Sequence, residues 1–279
     1  MIDFIGLGAQ KAGTSWIYAC LYEHPQICCP FKELHYFSRD RFERGRTWYE
    51  EHFSKCPPGT LRGEFSTSYL YSPETASRIA GQYPEAKLLA VLRNPVERAY
   101  SQYRNAIKNG EIGGELAFAA YCESEPTVVG QGRYAEQLER FTELFSPEQL
   151  LVMVYEDSLR DAADYMRRIY GFLGVDQDFV PSMLHDKVNV ARRPRSVGVE
   201  KVMHRVAEKL RGGGLDRLVW LVRRSGLPDF LRRFNTRGAS GNENDEDRDR
   251  EVLRSCFVED AEKLGEMLGR DMIGEWNLR

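Results

Sequence analysis

No apolar run in the 279-residue chain approaches the ~20 residues needed to cross a bilayer. Met1 to Gly13 also lacks the charged-then-apolar order of a secretory leader. Both absences predict a soluble, cytoplasmic protein with no membrane span. Charge of one sign is missing too: 39 Lys+Arg against 42 Asp+Glu leave a formal net charge of -3. That balance excludes a strongly basic nucleic-acid coat but permits local basic pockets. The six cysteines (Cys20, Cys28, Cys29, Cys56, Cys122, Cys256) form no CxxC pair and no Cys/His set with zinc spacing. Neighbouring Cys28 and Cys29 would strain a mutual bond. The expectation is therefore reduced, mostly buried thiols and no metal. No internal repeat is visible, and Gly238 to Arg250 is the one low-complexity tract.

What is present is a globular composition, 42% hydrophobic and 11% aromatic. Apolar runs at Asp3–Gly8, Lys87–Leu92 and Leu150–Tyr155 read as buried strands. Helical periodicity follows each, over Thr14–Glu23, Val96–Lys108 and Asp161–Leu173. Leu61–Tyr69 reads as a short strand and turn, and Lys32–Phe53 as a loop with short helices. Pro73–Tyr83, Tyr134–Phe145, Val199–Leu210, Leu215–Arg224 and Asp249–Leu268 complete the helices. Strands alternating with helices predict a three-layer α/β fold, a P-loop-like central parallel β-sheet flanked by helices. No linker interrupts the chain, so residues 1–279 are expected to form a single domain. Its C-terminal helical part, about 199–279, is expected to pack on the core.

Ligands of such sheets bind beyond the carboxyl ends of the strands. The loop Gly8-Ala9-Gln10-Lys11-Ala12-Gly13-Thr14-Ser15 joins the first strand to a helix, with glycine at both ends. It can aim backbone N–H groups into one concavity at a positive helix terminus. The spacing is P-loop-like, yet the lysine that should follow the second glycine is absent and Lys11 sits inside the loop. A second anion-binding candidate is Arg93 at the end of a strand, with Ser101 eight residues on. Two such sites suit a nucleotide carrying phosphate at two positions. A solvated Lys11 and an Arg93–Glu97 ion pair are the alternatives.

These residues resemble a known family. QKAGTSW (Gln10–Trp16) looks like the 5′-phosphosulfate loop of sulfotransferases that use 3′-phosphoadenosine 5′-phosphosulfate (PAPS). LRNPVERAYSQY (Leu92–Tyr103) is similar to their 3′-phosphate element. KELHYF (Lys32–Phe37) and GEFSTSY (Gly63–Tyr69) resemble blocks of the carbohydrate, heparan-type and bacterial members. Gly132-Arg133-Tyr134 with Leu138, LLVMVYEDS, FLGV and the closing LGRD...W follow in family order.

The resemblance implies PAPS as donor, PAP (3′-phosphoadenosine 5′-phosphate) as product, and no metal. It places Lys11, Ala12, Gly13, Thr14 and Ser15 on the 5′-phosphosulfate, and Arg93 and Ser101 on the 3′-phosphate. Trp16 would line the adenine or pack the helix. The basic loop Asn189–Ser196 and Arg237-Gly238 are candidates to close over the nucleotide. Catalysis would use Lys11 on the leaving oxygen, with Glu64 as general base, His35 as the second choice and Lys32 as a supporting cation. Glu33 is expected to be a solvated or structural charge. The implied enzyme moves a sulfuryl group to a hydroxyl or amine of a small-molecule, glycan or lipid acceptor, as monomer or homodimer. A kinase-like phosphotransferase and a non-catalytic nucleotide-binding protein are the competing readings.

Overall fold

The computed structural model describes residues 2–185 and 250–279, with the backbone pairing of Arg193–Pro194 to Thr236–Arg237. The chain divides into two compact units, the first built from Met1–Arg98, Pro126–Asn189 and Arg254–Arg279, the second from Ala99–Glu125 and Val190–Leu253.

The first unit holds a five-stranded sheet: β1 (Phe4–Gly8), β2 (Ile27–Cys28), β3 (Leu61–Phe65), β4 (Lys87–Leu92) and β5 (Leu150–Val154). Their order is β2-β3-β1-β4-β5, and every pairing is parallel. All five residues of β1 and the last five of β4 are buried, as continuous apolar strands covered on both faces must be. Helices α1 (Thr14–Glu23), α2 (Gly45–Glu51), α3 (Thr75–Gln82), α6 (Pro126–Gly130), α7 (Tyr134–Thr142), α8 (Tyr155–Arg160) and α9 (Ala162–Leu173) belong to this unit, and α4 (Pro95–Asn109) starts in it. Sequence periodicity located β1, β4, β5 and most of these helices. It missed the two-residue edge strand β2 and the short helices α5 (Phe118–Ser124) and α6.

The C-terminal residues return to the sheet. Along α10 (Val258–Leu268), Asp260 accepts hydrogen bonds from the Ala135 and Glu136 amides at 3.1 and 3.3 Å, capping α7. Arg270 grips Asp157 with both guanidinium nitrogens, at 2.6 and 3.0 Å. After α11 (Met272–Glu275), the Trp276 carbonyl accepts from Asn94 Nδ2 at 2.8 Å, tying the chain end to the loop that follows β4. The expected final helix is interrupted by a 3-10 turn at Ser255–Phe257.

In the second unit Tyr100, Tyr103, Phe118 and Tyr121 form an aromatic cluster, and the Arg250 guanidinium lies 3.9 Å above the Tyr100 ring. The helices expected at Val199–Leu210 and Leu215–Arg224 lie outside the described residues, as does most of the Gly238–Arg250 tract.

One expectation is corrected. The cysteines are not all reduced: Cys28 and Cys56 form a disulfide, their Cα atoms 5.7 Å apart. The pairing of β2 with β3 (Cys28 opposite Arg62) places Cys28 beside the turn that leads into β3. That turn carries Cys56. The neighbouring Cys29 stays a buried free thiol, as do Cys20 and Cys122, while Cys256 is an exposed one.

Candidate active site

Strands β1 and β4 are neighbours, but the chain leaves them toward opposite edges of the sheet. A crevice opens at such a point beyond the carboxyl ends. The Gly8–Ser15 loop and Arg93 both stand there.

The loop is shaped by two close approaches. Gly8 has φ 126, and a Cβ on it would sit 2.8 Å from the Thr67 carbonyl oxygen. Gly13 has φ 82, and a Cβ there would sit 2.6 Å from the Tyr155 ring. Both positions demand glycine. Helix α1 then starts at Thr14 with no side-chain cap and no acidic residue in its first turn, so its first N–H groups are left for an anion. Thr14 and Ala12 are buried, while Lys11, Gly13 and Ser15 are half-buried. The Gln10 Oε1 is a buried acceptor without a partner inside this loop. A cradle of this shape fits a phosphate- or sulfate-bearing ligand.

Arg93 is bound to the loop: its Nη1 donates to the Lys11 carbonyl at 3.1 Å. Its guanidinium lies over the Tyr155 ring at 5.3 Å, and the Glu97 carboxylate is 3.9 Å away. Tyr134 donates to the Arg93 carbonyl at 2.9 Å, and Asn94 Oδ1 accepts from the Val96 and Glu97 amides to start α4. Ser101 stands half-buried on α4, in the second unit. Trp16 is engaged in packing. Its indole N–H donates to the Met183 and Leu184 carbonyls, and its ring meets Tyr165 at 5.9 Å. Of the pair Arg237-Gly238, Arg237 pairs through its backbone with Arg193 of the basic loop, and Gly238 lies outside the described residues.

A charged cluster sits against the same loop. Lys32 Nζ donates to Ser15 Oγ at 3.1 Å and to Glu33 Oε1 at 3.0 Å. The other Glu33 oxygen is 3.1 Å from His35 Nε2 and accepts from the Thr67 amide at 3.1 Å. His35 Nδ1 meets Ser68 Oγ at 2.6 Å. Burial pushes the Glu33 carboxyl up, but the His35 hydrogen bond and the Lys32 charge outweigh it and hold the group at about 2. Four non-glycine residues among those described have positive φ. Three of them are Lys11 (69), Glu33 (65) and His35 (52), and such backbone clusters at functional sites.

Glu64 has a different setting. It is 1% exposed on β3, inside an aromatic shell that includes Tyr36, Phe37, Tyr49 and Tyr83. Oε1 accepts from the Tyr69 hydroxyl at 2.5 Å and the Tyr49 hydroxyl at 3.1 Å. Oε2 accepts from Ser66 Oγ at 2.6 Å. Burial raises its carboxyl to about 7 against these donors. Sequence reasoning thus missed Glu33 as the ionised centre of the cluster and Tyr155 as the floor of the loop. The KELHYF block carried the signal for Glu33, but its left-handed backbone was not readable from residue types.

A family model described as "Sulfotransferase domain" matches residues 2–189. The chain belongs to the sulfotransferase family. It is 31% identical over 195 residues to the human bifunctional heparan sulfate N-deacetylase/N-sulfotransferase 3, covering 62% of this chain and 22% of that protein. It is 30% identical over 176 residues to the mouse heparan sulfate glucosamine 3-O-sulfotransferase 3B1, covering 61% and 45%. The chain therefore spans less than half the length of these curated relatives. Among solved structures, a sulfotransferase from Alicyclobacillus acidocaldarius superposes with TM-score 0.70 at 26% identity, over 99% of both chains. The α/β architecture expected from the strand–helix alternation is the sulfotransferase fold.

Proposed function

We propose that this sulfotransferase-family chain moves a sulfuryl group from PAPS to a hydroxyl or amine of a glycan, lipid or small-molecule acceptor. One observation carries the reading: Lys32 bridges Ser15 of the anion loop to the ionised carboxylate of Glu33, beside the loop that Arg93 grips. An anion cradle, two cations and a proton acceptor thus meet at one crevice. The named heparan sulfate enzymes favour an amino-sugar glycan as the first acceptor to test.

PAPS supplies an activated sulfuryl group. In-line transfer forms a bond from the acceptor oxygen or nitrogen to sulfur and breaks the bond from sulfur to the bridging oxygen. The α1 terminus with Thr14 and Ser15 holds the 5′ end, and Arg93 the 3′-phosphate. Lys11 offsets charge on the departing phosphate. The acceptor proton goes to Glu33, which differs from the expected Glu64. Glu33 is 32% exposed along its side chain, whereas Glu64 is closed in and fully engaged by three hydroxyls. Because Lys32 is shared with Ser15, an anion on the loop draws the Lys32 charge away from Glu33 and raises that carboxylate's proton affinity. His35 orients Glu33. A kinase-like reaction has less support, since Thr14 stands where a P-loop lysine belongs.

Among the described residues no helix is long and apolar enough to cross a membrane. The Cys28–Cys56 bond favours an oxidising compartment over the cytoplasm.

Calorimetric titration with PAP, ATP and AMP without magnesium tests the donor site. Tight PAP binding with weak ATP and AMP responses supports the reading, and equal ATP binding overturns it. Labelled PAPS with N-deacetylated heparosan then tests transfer, in which Glu33→Gln should keep PAP affinity and lose turnover.

A further inference from the structure

Glu64 is a buried acid that the proposed reaction does not touch. Among the described residues its hydrogen-bond partners are all uncharged hydroxyls: Tyr49 from α2, and Tyr69 and Ser66 from the chain just after β3. The phenols of Tyr18, Tyr49 and Tyr69 and the Glu33 carboxylate act on it electrostatically, and none of these is cationic. An apolar residue would fill such a place at lower cost. What the carboxylate does there is orient a hydroxyl. Ser66 Oγ has one hydrogen, and giving it to Glu64 turns an Oγ lone pair toward the His35 amide, which donates to it at 2.9 Å.

That amide belongs to the turn that shapes the charged cluster. Glu33 and His35 hold φ of 65 and 52, in the left-handed region that is costly for a non-glycine residue. Such a turn persists only when its surroundings over-determine it. The chain around the end of β3 supplies the template: the Phe65 carbonyl accepts from the Glu33 amide at 2.8 Å, Ser66 Oγ from the His35 amide, and the Thr67 amide donates to Glu33 Oε2 at 3.1 Å. Ser66 is the member whose hydrogen-bonding direction is free to rotate, and Glu64 sets it.

We propose that Glu64 is a positioning residue that acts through Ser66 to hold the Lys32–His35 turn in the shape that presents Glu33. The inference rests on Glu33 as the proton acceptor. It predicts that Glu64 and Ser66 work as one unit, which a general base at Glu64 would not require.

The test measures PAP release from PAPS with water as acceptor, transfer to N-deacetylated heparosan, PAP affinity and thermal midpoint. It compares the wild type, Glu64→Gln, Ser66→Ala, the double variant, Ser66→Thr and Glu33→Gln. Each single change at 64 or 66 to Gln or Ala should lower kcat about 10- to 100-fold with PAP affinity kept within about twofold. The double variant should fall no further than the weaker single one, because both changes cut the same connection. Ser66→Thr keeps the hydroxyl and should restore most of kcat. A Ser66→Ala enzyme with wild-type kcat beside an inactive Glu64→Gln overturns the proposal and returns the base role to Glu64. Multiplicative losses in the double variant overturn it as well. If Glu64→Gln does not fold, Ser66→Ala against Ser66→Thr decides alone: equal kcat in the two refutes the connection. Failure of the underlying reading looks different. Glu33→Gln would then turn over like the wild type, or the wild type would not bind PAP.

Discussion

Removing the charge option at Glu64 should change how stability depends on pH. The carboxyl is 1% exposed, and burial raises it from 4.5 to about 7. Below pH 4.5 the group is protonated in folded and unfolded chains, so ionisation costs the fold nothing. Between 4.5 and 7 the unfolded chain releases the proton first, and stability drops as pH rises. Above 7 both states are ionised and the loss is complete. A displacement of about 2.5 pH units corresponds to ~3 kcal/mol at ~1.4 kcal/mol per unit. Glutamine at 64 keeps the shape and does not titrate. Urea unfolding of the wild type and Glu64→Gln at pH 4.5, 6 and 8.5 gives the difference directly. The wild type should lose ~3 kcal/mol relative to the variant between the first and last pH. Tyr49 and Tyr69 are pushed well above their ordinary range, and Glu33 is held at about 2, so none of these three changes charge in the folded protein inside this window. A difference flat to within ~1 kcal/mol would show that the three hydroxyl donors offset burial, and would refute the reasoning.

Three further outcomes follow from the same geometry. Reducing the Cys28–Cys56 bond, which closes a separation of 28 residues, should lower stability by about 3–4 kcal/mol on loop-closure grounds. Intact mass with alkylation, before and after reduction, checks that the bond exists, and urea unfolding reads the loss. Gly13→Ala places a Cβ 2.6 Å from the Tyr155 ring on a left-handed backbone, and should cost about 1–3 kcal/mol and weaken PAP binding in the same calorimetric assay. Lys11→Ala should lower kcat about 100-fold while PAP affinity changes far less, because its charge is needed most as the leaving oxygen develops its own; equal losses would mean that Lys11 serves binding alone.

The nucleotide-side elements were legible because their chemistry is local in the chain. A short apolar strand, a glycine-bounded loop and a helix starting at Thr14 are set by consecutive residues, and Arg93 follows its strand directly. The KELHYF and GEFSTSY blocks were also visible, but the surroundings of their glutamates were not. Residue type made Glu64 and His35 attractive and Glu33 ordinary. Burial separates the two glutamates: β3 carries Glu64 into the aromatic shell, while a left-handed turn holds Glu33 against Lys32. The cysteines show the same limit. Spacing alone could not pair Cys28 with Cys56, since the edge pairing of β2 with β3 is what brings that part of the chain into reach.

By itself, then, the sequence determined the α/β class, the strand ends that carry the anion loop and Arg93, and the family. Those properties follow from hydrophobic period, glycine placement and contiguous motifs, all readable within a few residues. Only the tertiary structure decided which carboxylate is ionised and reachable, which is enclosed, and which cysteines join. Each of these depends on desolvation and on partners brought from farther along the chain, such as Tyr49 against Glu64 and the Thr67 amide against Glu33, which contiguous motifs do not encode.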